Sequence, residues 1–119
     1  MAATPPLLSS EGRRRSKRVV IQVPILVVTK NRERFVQREE THTLVINAHG
    51  GLMELDMEVV AGQPLVLINP RTGEEEPCRV VRVDLRTDGS RTVAFEFDHP
   101  APKFWPISFP PADWNSDPA

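Results

Sequence analysis

One cysteine, no tyrosine and seven aromatics in all set the first limits on this 119-residue chain. Cys78 has no partner for an intrachain disulfide, so a reducing compartment is the natural setting. No apolar run approaches the roughly 20 residues of a membrane span, and the opening Met-Ala-Ala-Thr-Pro-Pro-Leu-Leu has no stretch of signal-peptide length. These absences predict a soluble, cytoplasmic protein with no membrane insertion. Twelve scattered prolines argue against long helices. His42, His49 and His99 with a lone cysteine have no metal-ligand spacing. No Gly-x-Ser-x-Gly elbow or Walker-type phosphate loop occurs, and Ser108 has no base near it in sequence. The expectation is a protein that is not an enzyme and carries no cofactor.

What the chain does have is a concentration of positive charge. Arg13-Arg14-Arg15-Ser16-Lys17-Arg18 places five cations in six positions, directly before the β-rich Val19-Val20-Ile21-Gln22-Val23. Crowded cations repel, so this segment is expected to be a flexible basic arm that orders when an anion neutralises it. The formal net charge of -1 hides the asymmetry. Residues 11–38 carry nine Lys/Arg against Glu11 and Glu33, whereas the remainder carries six against fourteen acids. One positive patch on an acidic body suits a small or local anion better than a long polyanion.

The rest of the chain reads as short strands separated by turns, after residues 1–12, which are small, polar and Pro-containing and are expected to be a disordered tail. Strands are expected at Val19–Thr29, Phe35–Ile46, Leu52–Leu55, Leu65–Ile68, Cys78–Leu85 and Thr92–Phe97. Pro24 marks an edge position or a bulge in the first. Asn47-Ala48-His49-Gly50-Gly51 is a tight turn in which Asn and Gly supply positive-φ positions. Thr87-Asp88-Gly89-Ser90 signals a hairpin. In the last strand Val93, Phe95 and Phe97 alternate with Ala94 and Glu96. Six short strands with no helical period predict an all-β fold, a small six-stranded antiparallel β-barrel over residues 13–100. Four of the seven aromatics, Phe104, Trp105, Phe109 and Trp114, lie beyond residue 101. Residues 101–119 are therefore expected to pack on the barrel as an aromatic extension.

A six-stranded barrel preceded by an Arg-x-x-x-Arg arm, with an Asn- and Gly-containing turn between its second and third strands, resembles a PilZ domain. This is the family of bacterial receptors for the second messenger cyclic di-GMP. The resemblance covers about residues 13–98. Its first motif stands as Arg14-Arg15-Ser16-Lys17-Arg18, and Val93-Ala94-Phe95-Glu96-Phe97 is similar to the family's last strand. The second motif, Asp/Asn-x-Ser-x-x-Gly, falls on Asn47-Ala48-His49-Gly50-Gly51 in either of two registers. Anchored on Asn47, it puts His49 at the serine position and Leu52 at the glycine. Anchored on Gly51, it puts Ile46 at the Asp/Asn position and Ala48 at the serine. The turn is one residue short of the pattern.

The resemblance implies nucleotide-binding roles for Arg14, Arg15, Arg18, Asn47, His49, Gly50 and Gly51, with cyclic di-GMP as the ligand. The chemistry agrees. A planar guanidinium grips phosphate, or guanine O6 and N7, bidentately and also stacks on the base. His49 can donate to guanine N7 or O6. Ligand binding would order the arm, and an unidentified partner protein would read the changed surface. Two alternatives stand beside this reading. One is a nucleotide-free adaptor of the same fold, since degenerate second motifs in the family go with weak or absent nucleotide binding. The other is a small β-barrel nucleic-acid binder, disfavoured by the acidic body and by central strands without exposed aromatic platforms. Glu74-Glu75-Glu76 reads as a solvated turn, or as an internal mimic of the arm's ligand.

Overall fold

The computed structural model describes residues 17–31 and 33–106. They form β1 (Val19–Val20), β2 (Pro24–Lys30), β3 (Val36–Asn47), β4 (Gly50–Glu54), β5 (Pro64–Ile68), β6 (Glu75–Leu85) and β7 (Arg91–Phe97), with no helix among them. Strands β2, β5, β6, β7, β4 and β3 pair in that order, and the β2–β3 pairing closes the ring. Every pairing is antiparallel. The six-stranded barrel read from the sequence is therefore present, with β1 added outside the ring. Closure leaves the ring without a sheet edge of the kind that invites aggregation.

The expected strand Val19–Thr29 is in fact two strands. Proline has no N–H to give a ladder, and Pro24 stands as the first residue of β2, ahead of the stretch from Leu26 that pairs with β5. The gap before it is filled by Thr43 on β3. The buried Thr43 hydroxyl accepts from Val23 N (2.9 Å) and donates to Ile21 O (2.7 Å), and Thr43 N donates to Val23 O (3.0 Å). A single side chain thus satisfies backbone groups that the broken ladder leaves over. Leu44, next to it, is skipped in the β3–β4 register, so β3 bends where the barrel wall turns.

Alternation places Ile25 and Val27 of β2, Leu65 and Leu67 of β5, Cys78 and Val80 of β6, and Val93, Phe95 and Phe97 of β7 in one core. The chain crosses one end of the barrel between β4 and β5, burying Leu55 and Val59 there. Phe104 and Trp105 close the other end, with ring centroids 5.7 Å from Phe97 in each case. Phe109 and Trp114 lie outside the described residues. Trp105 Nε1 donates to Asn47 O (2.8 Å), and Asn69 Nδ2 donates to Phe104 O (3.3 Å). The segment after β7 is thereby tied to two loops at that end of the barrel.

Cys78 sits in the core, where burial, reinforced by the Asp98 and Glu76 carboxylates, pushes its thiol from 9.0 up to about 12. A buried neutral thiol is a poor nucleophile. In native protein at pH 8, Cys78 is expected to resist a disulfide-exchange reagent and to react at once in denaturant. Rapid native labelling would contradict its burial. The sign of the linkage is also fixed: a thiol pKa raised in the folded state contributes stability below about pH 9 that is lost as pH climbs toward about 12.

Candidate functional site

The turn between β3 and β4 is shorter than the sequence suggests. Asn47 pairs with Gly50, so Ala48 and His49 alone connect the two strands. Asn47 does not supply a positive φ; among the described non-glycine residues Arg34 has that conformation. Its side chain acts instead: Oδ1 accepts from His49 N (2.8 Å), bracing the turn from within. Ala48 is buried, and its carbonyl accepts from Ala101 N (2.8 Å), while His49 O accepts from Phe97 N (2.7 Å). Both sides of the turn are thus held by the chain that closes the barrel end.

Gly50 and Gly51 have a structural reason to be glycine. A Cβ on Gly50 would lie 2.1 Å from Phe95 O, and one on Gly51 would lie 2.3 Å from Val45 O. Strand β4 is wedged between β3 and β7 at van der Waals limits, and side-chain-free residues permit that approach.

Two rows of outward-facing residues cross this part of the wall. Val45, Leu52, Ala94 and Arg82 are successive cross-strand partners on β3, β4, β7 and β6. Asn47, Gly50, Glu96 and Arg79 make the parallel row. Val19 pairs with Ile46, so Arg18, one residue earlier, comes opposite Asn47 at the end of the second row. Between these rows lies an open pocket of about 300 Å³ lined by Arg18, Asn47, His49, Gly50 and Gly51. Its apolar floor comes from Val45, Leu52 and Ala94, and Arg82 and Glu96 stand on the far side.

Five of the seven site residues expected from sequence therefore meet at one place, although Arg18 and Asn47 are 29 positions apart. Arg14 and Arg15 lie outside the described residues. The basic Arg18 is exposed and lines this pocket. Sequence reasoning missed Arg82 and Glu96. The alternation of the last strand does mark Glu96 as outward, but Arg82 depends on an irregularity of β6 that no local signal announces. Glu74 ends a turn whose base is Asn69, and Glu75 and Glu76 begin β6. Burial, then the neighbouring Glu74 charge, raises the Glu76 carboxyl pKa. Arg18 lines the pocket at the β3–β4 turn, and no glutamate of this group is among its lining residues.

No protein-family model and no curated protein matches the chain. Solved structures do match. The inhibitor of motility MotI/DgrA of Bacillus subtilis is similar with a TM-score of 0.60 and 19% identity over 75% of this chain and 44% of that one. The PilZ domain of Escherichia coli YcgR with c-di-GMP gives 0.54 and 15% identity, covering 88% of this chain and 86% of the domain. YcgR in complex with c-di-GMP gives 0.54 and 16% identity over 88% of this chain and 42% of that one. The chain thus spans less than half the length of MotI/DgrA and of that YcgR chain, and matches nearly all of the isolated domain. At these identities the likeness is one of fold, and the fold is PilZ-like.

Proposed function

We propose that this PilZ-like barrel is a cyclic di-GMP receptor module, held in readiness by its basic arm and read by a partner protein in the cytoplasm. The observation that carries the reading is the convergence of Arg18 with Asn47, His49, Gly50 and Gly51 on one pocket. The first belongs to the arm motif and the others to the turn motif, and neither half would hold a nucleotide alone. The solved YcgR structures, which contain c-di-GMP on the same fold, support the choice of ligand. The ligand offers two phosphates and two guanines. The arm's guanidinium groups suit the phosphates or a guanine edge, and the apolar floor suits the face of a base.

Titration calorimetry with cyclic di-GMP tests this. Arg14→Ala and Arg18→Ala are each expected to weaken binding by about 1.5–3 kcal/mol, the range for a charge-assisted hydrogen bond. Arg→Lys should recover part of the loss, since it keeps the charge and loses the planar fork. Rising salt should lower affinity, because the arm meets phosphate. Absence of heat and of chemical-shift change at near-millimolar nucleotide would end the receptor reading. The shortened turn, with His49 where the family pattern has serine, favours the alternative in that event: an adaptor whose arm docks on an acidic protein surface.

A further inference from the structure

Arg82 reaches the pocket through an irregularity in β6. Cys78 and Val80 both face the core, so strict alternation would carry residue 82 inward. The register with β7 instead slips by one between Val80 and Arg82: Val80 pairs with Phe95, and Arg82 pairs with Ala94. Bulges of this kind re-aim a side chain. Here the slip turns Val83 against the core and leaves Arg82 on the outer face beside Ala94, whose small side chain leaves room above the floor. The guanidinium is steadied by Asp84, whose Oδ2 accepts from Arg82 Nε (2.8 Å). That contact uses Nε, and the two terminal nitrogens keep their donors for a ligand.

Arg18 and Arg82 stand on opposite walls. The path from β1 through β3, β4 and β7 to β6 has four inter-strand steps, about 19 Å along the sheet at ~4.8 Å each. Entering the pocket from strands on opposite sides of its floor, the two guanidinium groups address different parts of a ligand. The Asp84 carboxylate already bound to Arg82 disfavours a phosphate there, so the ligand's anionic part turns toward Arg18 and the arm. What faces Arg82 is then a base.

We infer that Arg82 reads a guanine of the bound nucleotide, donating from its terminal nitrogens to O6 and N7 while the base lies over Leu52 and Ala94, and that Asp84 positions it. This rests on the pocket being the cyclic di-GMP site. Arg with guanine O6 and N7 is a bidentate match that adenine, with an amino group in place of O6, does not offer.

The test pairs a protein change with a ligand change. Cyclic di-GMP and its 7-deazaguanine analogue, which lacks the N7 acceptor, are titrated into wild-type protein and Arg82→Met, which keeps an apolar stem on this exposed site. Wild type is expected to bind the analogue at least about fivefold more weakly, and Arg82→Met to bind cyclic di-GMP about tenfold more weakly. In Arg82→Met the analogue penalty should shrink, since one N7 donor is gone while any supplied by His49 or the arm remains. An undiminished penalty in the variant, or unchanged affinity of Arg82→Met for cyclic di-GMP, would overturn the assignment of Arg82 and leave the receptor reading intact, provided Arg18→Ala still weakens binding. Wild-type protein that binds neither nucleotide would overturn both. Asp84→Asn should weaken cyclic di-GMP binding by a smaller factor and leave the analogue penalty in place, as a positioning role requires.

Discussion

Replacing Trp105 with alanine is expected to destabilise the domain by about 3–5 kcal/mol, the range for emptying a buried aromatic site. Trp105 is 2% exposed and touches Phe95, Phe97 and Phe104, with centroids 6.2, 5.7 and 5.0 Å away. Domains of this size are stable by roughly 5–15 kcal/mol, so one residue outside the barrel strands would account for a large share. Its indole N–H also holds Asn47 O at the start of the β3–β4 turn. Trp105→Phe separates the two contributions: it keeps much of the area and leaves that carbonyl to find water, for a loss of about 1–3 kcal/mol. Urea unfolding of the three proteins gives the comparison. A loss below about 1 kcal/mol for Trp105→Ala would mean that the aromatic end cap does not belong to the cooperative unit. Because Asn47 also lines the pocket, nucleotide affinity should fall in Trp105→Phe even where the protein stays folded.

The barrel was legible because its signals are local. β-branched runs, alternation in Val93–Phe97 and Gly- or Asn-bearing turns each report on a few neighbouring residues, and five of the six expected strands lie within a few positions of observed ones. What was not legible depends on partners distant in sequence. The split of Val19–Thr29 rests on the hydroxyl of Thr43, 20 residues from Val23. Gly50 and Gly51 read as turn residues, yet their constraint comes from Phe95 and Val45 on neighbouring strands. Arg82 reads as an inward position until the β6 slip is known. For the site, five of the seven residues that motif spacing singles out line one pocket, and the opposite wall emerges once four strands are laid side by side. Chemistry carried by a contiguous motif can be read from sequence. Chemistry assembled across a sheet needs the register.

Gly50→Ala should be among the most damaging single-methyl changes in the chain. The added Cβ would fall 2.1 Å from Phe95 O and 2.9 Å from Glu96 Cα, both backbone atoms of β7 that cannot swing aside as a side chain would. The strands must part, and the cost should reach about 3 kcal/mol or more, the upper end for overpacking a tight site. Gly89→Ala is the control. Its Cβ would meet nothing within 4 Å, but its φ of 91° lies in the left-handed region. That change should cost about 1–2 kcal/mol from backbone strain alone. Denaturant unfolding of both variants decides the matter: a Gly50→Ala loss no larger than that of Gly89→Ala would show that β4 does not approach β7 so closely. The two also differ in reach. Gly89 sits in the β6–β7 hairpin at the far end of the barrel, whereas Gly50 pairs with Glu96 and Asn47 in the pocket wall. Parting β4 from β7 pulls that row apart and shifts Ala94 away from Leu52. At a temperature where both variants remain folded, Gly50→Ala should therefore lose nucleotide affinity and Gly89→Ala should keep it.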